Sequence, residues 1–221
     1  MRIVAVIPVK LSSERVPGKN IKRFFDGKPL LHFIQEACLH SKRIDEVYVY
    51  CSSDEIVEYV LEGVAFLKRP EQLDSDCANG NDIIRAFMRQ VDADVYVMAH
   101  ATGPFTKPSS IDKCIEAVCD LGYDSAFLAK RMQEFLWQGG VPLNFDVQHF
   151  PRTQDLEPIY CEASGAFVFT KEVFQKYDRR VGVKPYIHEV DDIEAVDIDY
   201  PIDFTIADAI YKEIVKNERY D

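Results

Sequence analysis

Residues 2–8 read RIVAVIP, with no polar side chain after the first. An apolar group at every position, rather than at every second one, suits a strand covered on both faces, and such strands belong to parallel sheets held between layers of helix. The next segments keep to that demand. Residues 29–41 place apolar side chains at 30, 31, 33, 34, 37, 38 and 39 behind a leading proline, which predicts an amphipathic helix. A strand follows at 46–51, then a short helix at 55–61 capped by Ser53 and Asp54 and stopped at Gly63, then a brief apolar stretch at 64–67. Helices are predicted over 81–90 and 108–121, and strands over 94–99 and 125–129. Strand and helix thus alternate through the first 130 residues, which implies an α/β fold: an open, mostly parallel twisted sheet with helices on both faces.

The periodicity fails after Lys130. Residues 131–161 hold a Gly-Gly pair, three prolines, the sole tryptophan and several other aromatics, in neither a strand nor a helix period. Such a segment reads as an excursion from the core that covers an active site or packs on a partner subunit, the plainer alternative being a long surface loop. Regular structure resumes with a strand at 165–170, a helix near 172–177, strands around 186–190 and 194–198, and a closing helix from Pro201 to about Lys216. No repeat or low-complexity tract divides the 221 residues, so they read as a single domain.

Charge narrows the partners. With 26 Lys and Arg against 37 Asp and Glu the net charge is -11, and no basic cluster exceeds a pair, which argues against a grip on nucleic acid. Residues 3–9, the longest apolar run, fall far short of the roughly 20 that a membrane helix needs, and no leader pattern precedes them. The expectation is a cytoplasmic protein. Six cysteines without a C-x-x-C pair, and five scattered histidines, predict reduced structural thiols and no zinc site.

The chemistry-bearing residues cluster in two places. Directly after the first strand, IPVKLSSERVPGKN at 7–20 sets Lys10, Arg15 and Lys19 with Ser12 and Ser13 in one loop. Loops at the carboxyl ends of parallel strands are where open α/β sheets bind ligands, and three cations there suit a triphosphate, although no Walker A or G-x-G-x-x-G pattern is present. Near the other end, Asp197 and Asp199 are spaced i, i+2, so both carboxylates project from one face and can hold Mg2+ between protein and phosphate oxygens. The plainer alternative is that one of them caps the helix after Pro201.

These segments resemble, in order, the motifs of the acylneuraminate cytidylyltransferase family of CMP-sugar synthetases. The loop at 7–20 resembles I-P-A-R-x-G-S-K-R-x-P-G-K-N. RPEQL at 69–73 resembles R-P-x-x-L, and is followed by an Asp-rich turn at 74–76 and Cys-Ala-Asn to Asn79. AHATGPF at 99–105 stands where the family has Q-P-T-S-P-L. PRTQDL at 151–156, with Tyr160 and Gly165, resembles R-x-Q-D-L-P-x-x-Y and N-G-A, and VDIDYPIDF at 196–204 resembles D-I-D-x-x-x-D-F.

The resemblance implies a Rossmann-like nucleotide-diphospho-sugar transferase fold in which CMP passes from CTP to the anomeric hydroxyl of an acidic 2-keto sugar, with release of pyrophosphate and with Mg2+ as cofactor. It makes Lys10, Lys19 and Asp199 the catalytic set, and Asp197 with Asp199 the metal pair. Ser13, Arg15, Arg69, Ala78 and Asn79 join the two lysines at the nucleotide, and His100 and Thr102 line the sugar pocket. Arg152 and Gln154, on the excursion at 131–161, would reach the sugar carboxylate of a neighbouring subunit in a homodimer. The chain departs from the pattern at Lys10 (Arg in the family), at Ser12-Ser13 (Gly-Ser), and at His100 and Gly103 (Gln and Ser). Within the fold, the alternatives are 3-deoxy-octulosonate as acceptor, against which the RTQDL segment weighs, and a non-catalytic nucleotide-binding protein, against which the D-x-D pair and the lysine loop weigh; a metal-dependent phosphohydrolase would need further carboxylate or His ligands.

Overall fold

The computed structural model describes residues 1–13, 15–75 and 77–215. Its strands are β1 (Ile3–Val9), β2 (Glu46–Cys51), β3 (Val64–Lys68), β4 (Val95–Ala99), β5 (Ser125–Met132), β6 (Trp137–Gln138), β7 (Val141–Pro142), β8 (Ile159–Thr170) and β9 (Pro185–Val190). Its α-helices are α1 (Leu30–Leu39), α2 (Gly80–Met88), α3 (Pro108–Cys119), α4 (Lys171–Tyr177) and α5 (Pro201–Ile210). All strands but β6 and β7 join one sheet in the order β3-β2-β1-β4-β8-β5-β9. The pairs β1–β2, β1–β4, β2–β3 and β5–β9 are parallel, and β8 runs antiparallel between β4 and β5.

β1 is buried on both sides, as its composition requires. Ile3, Ala5, Ile7 and Val9 face a core shared with α1 and α3, while Val4 and Val6 face a second core with Ile84 and Phe87 of α2 and Val173 and Phe174 of α4. Each large side chain so buried contributes roughly 1.5–3 kcal/mol over leaving it wet. A third, aromatic core lies beside the sheet, where Phe24, Phe33, Phe204 and Tyr211 pack with ring centroids 4.7 to 5.6 Å apart. Ile198 is buried in that core, so the carboxylates on either side of it, Asp197 and Asp199, are turned outward.

Three expectations are corrected. The helix expected at 55–61 is a 3-10 run, Asp54–Tyr59, with the Ser53 hydroxyl accepting from the Glu55 amide; β-branched Ile56 and Val57 disfavour a longer α-helix in so short a segment. The strand expected at 194–198 is a turn and irregular chain. Asp191 Oδ1 accepts from the amides of Ile193 and Glu194, and buried Glu194 accepts from the Lys107 amide at the start of α3, so this stretch answers to a turn and a helix end instead of a ladder. The excursion is also shorter than 131–161: β5 continues to Met132 and β8 begins at Ile159, which leaves an arm of residues 133–158 containing the β6–β7 hairpin. The last residue of the expected closing helix, Lys216, and Asp76 of the Asp-rich turn lie outside the described residues.

The thiols divide by place. Cys38, Cys51 and Cys114 are buried, and burial pushes the Cys38 and Cys114 thiols up to about 12, whereas Cys77 and Cys161 are exposed; no disulfide joins any of the described cysteines.

Where β4 ends, backbones meet closely. A Cβ at Gly103 would lie 2.9 Å from Gly165 Cα, and a Cβ at Gly165 would lie 2.2 Å from Thr106 Oγ1, which itself donates to the Gly103 carbonyl at 3.0 Å. In this chain a side chain at position 103 would therefore have to displace the backbone at Gly165. Gly165→Ala should lose about 1–3 kcal/mol of stability in urea unfolding. Thr106→Ala, added to it, should return part of that loss because it removes the blocking oxygen; strictly additive losses would show that the contact is not the cause.

Candidate functional site

The chain enters β1, turns to one side for β2, and later returns to the other side for β4, so the order reverses at β1 and leaves a crevice at the carboxyl ends of these strands. The cationic loop opens there. Ser13 Oγ accepts from the Val16 amide, Gly18 takes the left-handed conformation at φ 63°, and buried Asn20 donates from Nδ2 to the Lys10 carbonyl at 2.9 Å, tying the loop's end to its start. A residue with a Cβ is strained at the φ of Gly18. The tie brings Lys19 over the end of the sheet, where its ammonium donates to the Ile198 carbonyl at 2.7 Å and stands 3.8 Å from Asp199 Oδ1. Burial lowers the Lys19 pKa, opposed by Asp199 and Asp197, so both aspartates lie within its field.

Asp199 also meets the Arg15 guanidinium at 2.9 Å. Arg15 lies across the Tyr200 ring, and its pKa is raised first by the Tyr200 hydroxyl and then by Asp199. Asp197 is held differently: Ser164 Oγ donates to it at 2.8 Å, and Thr102 Oγ1 donates to Ser164 at 3.1 Å. The Thr102 carbonyl accepts from the Ile198 amide at 2.9 Å, which fixes the segment carrying both aspartates against the end of β4. Lys19, Arg15, Asp197, Asp199 and Thr102 are thus brought together from three distant stretches of chain. Neither aspartate caps α5. Asp203 does so, accepting from the amides of Asp199 and Tyr200.

Two outward-turned carboxylates beside a cationic loop fit Mg2+, which binds through one or two carboxylates plus substrate phosphates and keeps its other waters. Among the described residues no cluster of three or more His, Cys, Asp or Glu side chains forms a protein-only cage.

A second group lies at the ends of β2 and β3. Arg69 is 2% exposed, pairs with Asp74, which also accepts from Ser52, and keeps a buried Nε without a partner. Ala78 stands between this group and α2. Asn79 is engaged as the helix cap, its side chain accepting from the amides of Asn81 and Asp82. The arm residues stay apart from both groups: Arg152 is 72% exposed and one edge of its fork, Nε and Nη2, binds Asp155, at 2.8 and 3.0 Å, while the Gln154 carbonyl accepts from Gln133.

His100 ends β4 with its ring tilted against Phe167. Its Nε2 is buried and unpartnered, and burial, then Arg180, then Lys19 push its pKa down to about 4. Sequence reading missed Arg180, Glu162 and Ser164. Arg180 sits in a polar loop beside Arg179 with nothing local to distinguish it, whereas Ser164 adjoins a glycine already marked by the motif.

A family model described as cytidylyltransferase matches residues 4–217. N-acylneuraminate cytidylyltransferase A of Danio rerio is 32% identical over 93% of the chain and 50% of its own length, so the chain spans about half of that relative. CMP-N,N'-diacetyllegionaminic acid synthase of Legionella pneumophila is 26% identical, with 95% of this chain and 96% of that one covered. Among solved structures, CMP:2-keto-3-deoxy-manno-octonic acid synthetase complexed with CTP shares the fold, with a TM-score of 0.72 and 18% identity over 96% of this chain and 99% of that one.

A pH dependence follows from His100. It titrates at about 4 when folded against 6.5 as its ordinary value, so between these values the unfolded chain binds the extra proton and stability falls as pH is lowered. The full effect, reached below pH 4, is about 3 kcal/mol. His32 and His188, also lowered by burial, act in the same direction. Urea midpoints between pH 7 and pH 4 should decline, and His100→Gln should make the decline shallower; an unchanged slope would mean that His100 is protonated as readily folded as unfolded.

Proposed function

The chain belongs to the cytidylyltransferase family, and on that premise we propose that it transfers CMP from CTP to the anomeric hydroxyl of an acidic 2-keto-3-deoxy sugar of the sialic, legionaminic or pseudaminic type. The observation that carries the reading is the meeting of Lys19 with Asp197 and Asp199 at the carboxyl end of β1. The hydroxyl oxygen forms a bond to the α-phosphorus as the bond to the pyrophosphate oxygen breaks, and the hydroxyl proton passes to solvent water. Lys10, Arg15 and Lys19 hold the triphosphate and balance charge gathering on the leaving group. Ser13 belongs to the same loop. The buried Arg69 Nε has a donor to spare for the nucleotide, with Ala78 and Asn79 beside it.

Asp197 and Asp199 would hold Mg2+, which when bound supplies charge neutralisation on the phosphates. The Thr102–Ser164–Asp197 chain orients one of these carboxylates; Arg15 and Lys19 keep the other paired until phosphates draw the cations over. His100 and Thr102 face the acceptor. A second copy of the chain completes the site with Arg152 and Gln154 of its arm, whose Trp137 and Phe150 are 56% and 62% exposed beside exposed Val141 and Leu143 and would be covered in a homodimer. No described helix is long and apolar enough to cross a membrane, and we place the reaction in the cytoplasm.

Pyrophosphate release from CTP and Mg2+ should depend on adding an acid sugar from a panel that includes eight-carbon acceptors; release without any sugar would favour a hydrolase. Asp199→Asn should keep the fold and lose several kcal/mol of transition-state stabilisation, roughly a hundredfold or more in kcat. Unaltered kcat at saturating Mg2+ would sink the metal role. Mixing Arg152→Ala with Asp199→Asn chains should restore about a quarter of wild-type activity, since about half of randomly mixed dimers are mixed and each has one intact site. No recovery despite verified exchange would remove the shared site.

A further inference from the structure

Arg180 belongs to the loop between α4 and β9, and that loop is anchored without it. Asp178 binds Arg85 at 2.6 Å, the Gly182 amide donates to Ser125 Oγ at 2.9 Å, and the amides of Val183 and Lys184 donate to Asp124 Oδ2 at 2.7 and 2.9 Å. A Cβ on Gly182 would lie 2.4 Å from the Asp124 carboxylate, so the backbone itself fits against that anion. The Arg180 side chain instead leaves the loop and crosses the sheet face. Its guanidinium carbon stands 3.6 Å from the centroid of the Phe167 ring, the ring that also packs on His100.

In that position the cation is poorly matched. Its side chain is 28% exposed, and burial lowers its pKa. The acceptors it meets among the described residues are Glu162 at 3.5 Å and the weak acceptor Met98 Sδ at 3.9 Å. A guanidinium has five N–H donors in its plane, and packing over the Phe167 ring leaves them directed outward, so this one has more donors than Glu162 and Met98 engage. Beside it lies His100 with its buried, unpartnered Nε2, which is neutral at pH 7 and so able to accept from a hydroxyl. Lys19 acts on the same imidazole from the phosphate side. Lys19, which pairs with Asp199, and Arg180, which shares the Phe167 ring with His100, thus both act on the one imidazole.

We propose that Arg180 receives the carboxylate of the acid-sugar acceptor, in cis, from the same chain that supplies Lys19 and Asp199. The inference rests on the acceptor reading above and names the residue that makes the site select an acid. In a 2-keto acid sugar the carboxylate is bonded to the anomeric carbon that bears the attacking hydroxyl, so the cation that binds it must come from the same side of the site, and Arg180 shares the Phe167 ring with His100 at the end of β4. Arg152 does not meet that need as well: it lies on the arm, 72% exposed, and Asp155 already holds one edge of its fork. Its part in the site is contact with the rest of the sugar.

The test compares an accepted acid sugar with its C1 carboxamide, which keeps the shape and removes the charge. For Arg180→Met the preference for acid over amide, as a ratio of kcat/KM, should fall about tenfold or more while the KM for CTP stays within about twofold. Arg180→Lys should restore part of the preference, and Arg152→Ala should weaken acid and amide alike. An unchanged ratio in Arg180→Met, or a loss seen in the KM for CTP instead, would overturn the assignment. Should Arg180→Met fail to fold by thermal melting, Glu162→Gln decides: removing the competing carboxylate should lower the KM for the acid and not for the amide, and an equal or higher KM for the acid would overturn the proposal. If the wild-type chain releases pyrophosphate with no acid sugar, the acceptor reading fails and this inference with it; turnover by the wild type with selectivity indifferent to Arg180 removes the inference alone.

Discussion

A strand covered on both faces has nowhere to put polar chemistry except at its ends. β1 meets that condition, with Val4, Ala5, Val6 and Ile7 at most 1% exposed between two helical layers. Everything else about the site follows from it. The charged loop begins at the first residue past the strand, the aspartate pair is pinned to the end of neighbouring β4 through the Thr102 carbonyl, and the aromatic core beside α5 faces the aspartates outward by burying Ile198 between them. The core stabilises the fold and, by excluding charge, concentrates it at one edge.

The charges gathered there come already balanced. Arg15 and Lys19 share Asp199, Ser164 serves Asp197, Asp74 serves Arg69, and Glu162 partly serves Arg180. Without such pairing the cations of the loop would repel one another and the buried guanidinium of Arg69 would be strongly destabilising. Under the proposed function a polyphosphate and a metal ion would replace these partners, so binding would exchange one set of ion pairs for another instead of creating charge in a dry place. The unpartnered Arg69 Nε and His100 Nε2 are the exceptions, and both lie along this edge.

Much of this was legible in the sequence, for reasons that differ by element. β1, α1 and α3 announce themselves because their burial pattern is local, one residue after the next. The cationic loop and the aspartate pair were found through spacing and family resemblance, and the structure brings their members within reach of one another. The segment at 194–198 misled because its apolar residues suit a strand, while the side chain of Asp191 diverts the backbone into a turn that no periodicity encodes. The full length of β8 was hidden for a related reason: its first half pairs with β5 but is exposed, so it carries no apolar signature. Arg180 was invisible because its meaning lies in Phe167, Glu162 and His100, which only the folded chain brings beside it.

The arm at 133–158 leaves the sheet and rejoins it at facing positions, for Met132 and Ile159 are paired across the antiparallel ladder of β5 and β8. Residues so paired have Cα atoms only about 5 Å apart. The sheet therefore sees the whole arm as one hairpin connection, whose closing entropy rises only slowly with length. Its contents can be lengthened, shortened or grafted from another protein without altering the ladder that closes beneath it. Residues on the arm and residues on the sheet edge are thus free to diversify separately, and the fold can acquire a new rim around an unchanged reaction centre.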